Sequence, residues 1–276
     1  MLATTHPQSG MVATSRIHRV VTGNGGAAPS RGDTVELTVS HLTKRYGETL
    51  ALSDASVTFK PGIHTILGEN GSGKSTMLKI LSGVVSPSEG TIALNGRAIS
   101  PRTPHDMHEL GLSTVFQEVL IAPHRTVVEN IFLGYDGPLR RRIEKSARAP
   151  LAQALLAEIS RFPIPLSAPA GELPLASQQL IVLARALVRL PSILLLDEAT
   201  AALDYADRDL VFDAIENYAA AGNIVIFISH RLEEVRRLSD RVTVLRSGHI
   251  VETLERDGIT AERLLKLMAP EAAIHA

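Results

Sequence analysis

The sequence predicts an α/β chain built on a mostly parallel sheet, with a helical segment inserted into it. Three observations lead there. Apolar runs at His64–Leu67, Ser113–Phe116, Ser192–Leu196 and Ile224–Ile228 each pass into polar residues and then a helical pattern, the texture of βα units. A Gly-rich segment, Gly68–Ser75, directly follows the first of these runs. Residues 127–187 are helical in texture instead, and they lie between the second run and the third.

The elements follow in order. Residues 1–32 contain no Asp or Glu and are rich in Ser, Thr, Gly, Ala and Pro, so residues 1–33 are expected to form a disordered N-terminal extension. Val35–Val39 alternates apolar and polar residues as a half-buried strand does. Ala51–Phe59 reads as a second strand, turned by Pro61-Gly62 into the short buried strand His64–Leu67. Leu151, Leu155, Leu156 and Ile159 stand at helix spacing, and Pro163, Pro165 and Pro169 punctuate the chain before another helix over Gln178–Leu187. The basic residues Arg140, Arg141, Arg142, Lys145 and Arg148 read as a solvated loop rather than a nucleic-acid patch.

Composition narrows the classes of function. The 276 residues are long for one ordinary domain and short for two, which suits one α/β domain with an insertion. An apolar fraction of 45% is enough for a full core. With 28 Lys+Arg against 29 Asp+Glu, the formal charge of −1 argues against a protein that grips nucleic acid through a basic field. The absence of Cys excludes disulfide scaffolds, thiolate metal sites and cysteine nucleophiles. No stretch approaches the roughly 20 consecutive apolar residues of a spanning helix, so the chain is not expected to cross a membrane by itself.

Gly68-Glu69-Asn70-Gly71-Ser72-Gly73-Lys74-Ser75 fits G-x-x-x-x-G-K-[ST], with Thr76 next. Glycines let such a loop turn successive backbone N–H groups toward phosphates, and the following helix adds its positive end. Lys74 is then placed to reach the β- and γ-phosphates of a nucleotide, and the Ser75 hydroxyl to ligate Mg²⁺. A phosphate loop alone does not separate kinases from ATPases. The run Ile193–Leu196 delivers Asp197, a carboxylate for Mg²⁺, with Glu198 beside it as a candidate general base toward water. Ser229-His230 stands at the end of Ile224–Ile228, where ligands bind in such sheets, and Gln117 ends another strand as a neutral ligand for Mg²⁺ or water. His105 and His108 share a helix face but, with no third ligand, make a poor metal site.

Over about residues 35–268 these features resemble the nucleotide-binding subunits of ATP-binding cassette (ABC) transporters. The family elements occur in order. Tyr46 matches the aromatic that stacks on adenine, Gln117 the loop glutamine, and Asp197-Glu198 the Walker B pair. Ala201–Asp204 matches the D-loop and His230 the switch histidine. The resemblance implies a P-loop NTPase core with an antiparallel β subdomain and an inserted helical subdomain at about 118–188, within a cassette of 34–270. It also implies ATP hydrolysis with Mg²⁺, a peripheral place on the cytoplasmic face of the membrane, and transmembrane permease subunits as partners. A second cassette would come from another chain, and a solute-binding protein would take part indirectly. Gly68–Gly71, Gln117-Glu118, Glu129–Ile131 and Ser229–Glu234 look like the sugar-import branch.

One segment departs from the family pattern. Counting back from Ala184–Leu187 places the signature segment, Leu-Ser-Gly-Gly-Gln in the family, on Leu173-Pro174-Leu175-Ala176-Ser177. In the family its serine contacts the γ-phosphate held by the opposite subunit; Pro174 offers neither hydroxyl nor N–H, and Leu175 adds bulk where glycine lets backbone approach. One reading is tolerated drift in a working signature, since Gln178, Gln179 and the downstream helix are intact; on the other, the reciprocal site is weak, which favours pairing with a different cassette over a homodimer. A regulatory cassette that hardly turns ATP over, and a soluble non-transport ATPase, are the alternative readings.

Overall fold

A computed structural model describes residues 35–136 and 143–269. The expected N-terminal extension and Arg140–Arg142 of the basic run lie outside the described residues. The chain divides into two units, one of 35–115, 191–198 and 222–269, the other of 116–190 and 199–221 among the described residues.

The first unit carries both sheets. Strands β1 (Leu37–Tyr46), β2 (Thr49–Phe59), β4 (Glu89–Leu94) and β5 (Arg97–Ile99) make an antiparallel sheet in the order β2-β1-β4-β5. Strands β3 (Gly62–Leu67), β6 (Leu112–Val115), β7 (Ile193–Asp197), β8 (Ile224–Ile228), β9 (Arg241–Arg246) and β10 (His249–Glu255) make a second sheet, in the order β10-β9-β3-β8-β7-β6. It is parallel throughout except for β10, which folds back on β9 as a hairpin. Every residue of β8, and Ile193–Leu196 of β7, is buried, as strands covered on both faces must be; this is why they read as unbroken apolar runs.

Helix α1 (Lys74–Leu81) turns Met77, Leu78, Ile80 and Leu81 into the core. The short α2 (Pro104–Glu109) is started by a capping box between Thr103 and Asp106, with proline in the first turn. Helices α7 (Leu232–Leu238) and α8 (Ala261–Met268) contribute Val235, Leu264 and Leu267 to a cluster with Val242, Val244, Leu254 and Leu67. Leu67 is the last residue before the Gly-rich loop, so this cluster anchors the loop's entry.

The second unit is helical, with α3 (Val127–Ile131), α4 (Lys145–Ile159), α5 (Leu175–Leu187) and α6 (Tyr205–Ala220). Buried Asn130 organises it: its side chain accepts from the Ala122 N–H at 2.8 Å and donates to the Ala122 carbonyl at 2.9 Å, while Arg185 Nε donates to the Asn130 carbonyl at 2.7 Å. Helix α4 buries Leu151, Leu155, Leu156 and Ile159. Helix α5 begins three residues before the expected Gln178, because Pro174 ends the extended approach as its N-cap and lacks only an N–H that the first turn does not need. Arg148 corrects the reading of the basic run as a solvated loop. It sits on α4, forms a two-pronged ion pair with Asp136 at 2.7 and 2.9 Å, and lies over the Phe132 ring. No helix of the described residues is long and apolar enough to cross a membrane.

His64, in the middle of β3, is fully buried against Phe59; its Nε2 lies 2.7 Å from the Thr243 hydroxyl, and Nδ1 has no hydrogen-bond partner. Burial first, and the Arg241 charge second, push its pKa down to about 3. The unfolded chain takes up this proton near pH 6.5 and the folded chain only near 3, so stability is lost as pH falls through that window. The limiting slope for one group is about 1.4 kcal/mol per pH unit. His64→Gln, which cannot titrate, is expected to show a shallower acid loss in urea unfolding measured from pH 7 to pH 3; parallel curves would contradict this.

Candidate functional site

The register of the parallel sheet brings three strand ends level. Ile66 of β3 and Asp197 of β7 both pair with Ile228 of β8, which runs between them. The Gly-rich loop, Asp197-Glu198 and Ser229-His230 therefore leave the sheet side by side at its carboxyl edge, where open α/β sheets hold ligands.

The loop is built for close backbone approach. A Cβ on Gly68 would stand 2.4 Å from both the Leu245 carbonyl and Ser72 Oγ. Gly73, at φ +106°, ends the loop, and a Cβ there would meet the Ala51 carbonyl at 2.9 Å. The turn between β9 and β10 supports the loop from behind, with Gly248 N–H donating to the Ser72 carbonyl at 3.0 Å. Gly73 is the N-cap of α1, so no side chain caps that helix, and no acidic residue occupies its first turn. Those N–H groups, together with a buried Ser72 hydroxyl that has no hydrogen-bond partner, suit an anion.

Lys74 opens α1 and is 7% exposed. Its ammonium donates to the carbonyls of Gly68 at 2.6 Å and Glu69 at 2.8 Å. Burial lowers its pKa, while the charges of Glu198, Asp197 and Glu69 oppose that shift. The cation and the acidic pair of β7 thus sit within one electrostatic neighbourhood. Ser75 is exposed on the first turn of α1 and Thr76 is half-buried; Glu69, Asn70 and Gly71 are exposed along the loop. Tyr46 ends β1, the residue 45% exposed and the Lys44 ammonium 5.2 Å from the ring centroid.

Glu198 follows β7 with a left-handed backbone, φ +48°, costly for a residue other than glycine, and its N–H donates to the Ile228 carbonyl at 3.0 Å. Its carboxylate Oε1 lies 2.8 Å from His230 Nδ1, with the Glu198 side chain 18% and the His230 side chain 55% exposed. The geometry thus brings together Lys74, Asp197, Glu198 and His230. Gln117 is exposed two residues beyond β6 and belongs to the helical unit.

In that unit the segment 173–177 runs from an extended Leu173 through Pro174 into the first turn of α5, where Leu175 is exposed and Gln178 Nε2 donates to the Leu173 carbonyl at 2.8 Å. Asp204 caps α6, accepting from the N–H groups of Ala206 and Asp207, and pairs with Arg161 at 3.0 Å. Sequence reasoning missed two supports of the site: the β9–β10 turn behind the loop, signalled by the dipeptide Ser247-Gly248, and the side chains of Ser229 and Glu234 around His230.

Chemically, the loop and Lys74 suit a polyphosphate, and Glu198 with His230 can hold a proton. Among the described residues no group of three or more His, Cys, Asp or Glu side chains could hold a metal ion. Asp197 and the Ser75 hydroxyl are hard oxygen donors, the kind used by an ion that takes most of its ligands from phosphate and water. Magnesium fits that donor set.

A family model described as ABC transporter matches residues 52–201. The ribose import ATP-binding protein RbsA 1 of Rhizobium johnstonii is 38% identical over 229 residues, 82% of this chain and 44% of that protein. The RbsA 2 protein of Escherichia coli O157:H7 is 37% identical over 233 residues, 84% of this chain and 46% of its own. The chain spans less than half the length of these relatives. Among solved structures, a dimeric bacterial ABC transporter cassette aligns with TM-score 0.71 at 25% identity, over 80% of this chain and 98% of that one. A nucleotide-free cassette from an ABC transporter aligns with TM-score 0.72 at 23% identity, over 87% of this chain and 97% of its own. With the matched model covering more than half of its residues, this chain belongs to the ABC transporter family.

Proposed function

We propose that this chain is the ATP-binding and ATP-hydrolysing cassette of an importer, with a carbohydrate as its cargo. The observation that carries the reading is the level ending of β3, β8 and β7, which sets the Gly-rich loop, His230 and Asp197-Glu198 side by side. The names of the relatives, ribose import ATP-binding proteins, supply the cargo class. The cassette is taken as 34–270 with its helical subdomain at about 118–188. Permease subunits in the membrane and a second cassette are its partners, with a solute-binding protein engaged through the permease, at the cytoplasmic face.

In this reading the residues 68–76 hold the ATP phosphates, Lys74 offsets charge on the β- and γ-phosphoryl oxygens, and Tyr46 stacks on the base. Ser75 and Asp197 would hold Mg²⁺, which supplies charge neutralisation at the phosphates when bound. Glu198 takes a proton from the attacking water as its oxygen bonds to the γ-phosphorus and the bond to ADP breaks. His230 holds the Glu198 carboxylate by the 2.8 Å bond to Nδ1. ATP binding closes the two cassettes and hydrolysis reopens them.

Pro174 and Leu175 stand where a donor and a glycine would serve the partner's nucleotide. Replacing both, Pro174→Ser with Leu175→Gly, is expected to raise the ATPase of this chain assembled with itself about tenfold, the effect of regaining one hydrogen bond to a charged group. Unchanged turnover and unchanged self-association would sink the idea of a weak reciprocal site. Tagged full-length chain extracted from membranes is expected to carry a polytopic membrane protein with it; recovery with ribosomal or nucleic-acid partners instead would favour a non-transport ATPase.

A further inference from the structure

We infer that Glu234 and Ser229 are positioning residues for His230, acting through the backbone on either side of it. The inference rests on the reading of Glu198 and His230 as the hydrolytic pair. His230 is more than half exposed, so packing does not orient it. Its neighbours are tied down instead. The Ser229 hydroxyl donates to Glu234 Oε2 at 2.7 Å and accepts the Arg231 N–H at 3.1 Å. The Arg231 guanidinium reaches the other carboxylate oxygen of Glu234, Oε1, at 3.3 Å.

One carboxylate thus gathers the residues before and after His230. Glu234 itself is fixed: its side chain is 4% exposed in the first turn of α7, next to Val235, which is fully buried in the cluster anchoring Leu67. Ser229 is buried at the end of β8, whose last residue, Ile228, accepts the Glu198 N–H. The chain from Ile228 to Glu234 is therefore a closed brace. It runs from the Glu198 backbone, round His230, and back to the core through a buried acid. A buried carboxylate is expensive to desolvate, and its bonds to a hydroxyl and a guanidinium are charge-assisted and strong, so the brace holds a single geometry.

The test uses the full-length chain labelled with ¹⁵N-histidine, with the His230 signal assigned by its loss in His230→Ala. In the wild type, Nδ1 is expected to show the shift of a ring nitrogen bonded to a carboxylate. Glu234→Gln still accepts from Ser229 and is expected to keep that signal. Glu234→Ala and Ser229→Ala are expected to move it toward the free imidazole. In the assembled ATPase, Glu234→Ala is expected to lower kcat about tenfold with KM for ATP within about twofold, and to have no further effect in a His230→Ala background. An unmoved Nδ1 signal in Ser229→Ala and Glu234→Ala overturns the inference, as does an equal loss of kcat with and without His230. Should Glu234→Ala fail to fold, Ser229→Ala decides it by the same signal. If His230→Ala alone leaves turnover intact, the hydrolytic role of His230 falls, and the ring signal still decides the brace.

Discussion

Glu198→Gln is expected to stop ATP hydrolysis while leaving the nucleotide bound. The substitution keeps the size of the side chain and a group able to bond His230 Nδ1, now at 2.8 Å from Oε1, so the site's shape is retained. What it removes is a base able to take a proton from water, a contribution of about 10²–10⁴-fold in rate, or roughly 3–5 kcal/mol of barrier. The Gly-rich loop and Lys74 are untouched, so affinity for ATP should change little. The variant mixed with radiolabelled ATP and Mg²⁺ should retain intact ATP after rapid desalting, where the wild type retains ADP or nothing. Turnover within a few-fold of wild type would remove Glu198 from the role of base.

Lys74→Ala is expected to act one step earlier, on binding. In the folded chain the ammonium is buried and held by the Gly68 and Glu69 carbonyls, so the loop is shaped around it as well as charged by it. Its loss leaves two carbonyls of the loop without that donor and places Glu198, Asp197 and Glu69 near incoming phosphates without the ammonium charge to offset them. Bonds from the ammonium to two phosphoryl oxygens, at about 1.5–3 kcal/mol each, would be lost with it, which corresponds to about a hundredfold or larger rise in Kd. Calorimetric titration of the full-length chain with ATP and Mg²⁺ reads this directly. A Kd within about threefold of wild type would show that the loop's N–H groups and the α1 terminus carry the affinity without the lysine.

Much of this site can be read before folding because its parts are local. Gly68–Ser75 carries its own chemistry in eight consecutive residues, and Ile193–Leu196 and Ile224–Ile228 advertise doubly covered strands by having no polar face. Strand β8 coincides with its sequence run from first residue to last. Other elements escaped although part of their signal is local. Strands β4 and β5 meet as a hairpin across Asn95-Gly96, a local turn signal, but only Ile92 of the two strands is buried, so no apolar alternation marks them. The hairpin of β9 and β10 is announced only by Ser247-Gly248, yet its turn holds the nucleotide loop by a bond between Gly248 and Ser72, far apart in sequence. Glu234 looks in sequence like one of two acids starting a helix; only the fold distinguishes buried Glu234 from exposed Glu233. Likewise, nothing in the sequence shows that Glu198 adopts a left-handed backbone, since that conformation follows from where β7 must end against Ile228.

In the proposed function, the level ends of β3, β7 and β8 form one ATP-hydrolysing site. The most direct measurement is phosphate release from ATP by the full-length chain assembled with the membrane protein it extracts, with and without Mg²⁺. Mg²⁺-dependent release is expected, lost both in Lys74→Ala, which no longer holds ATP, and in Glu198→Gln, which holds it unhydrolysed. Phosphate release that persists in both variants would contradict this reading.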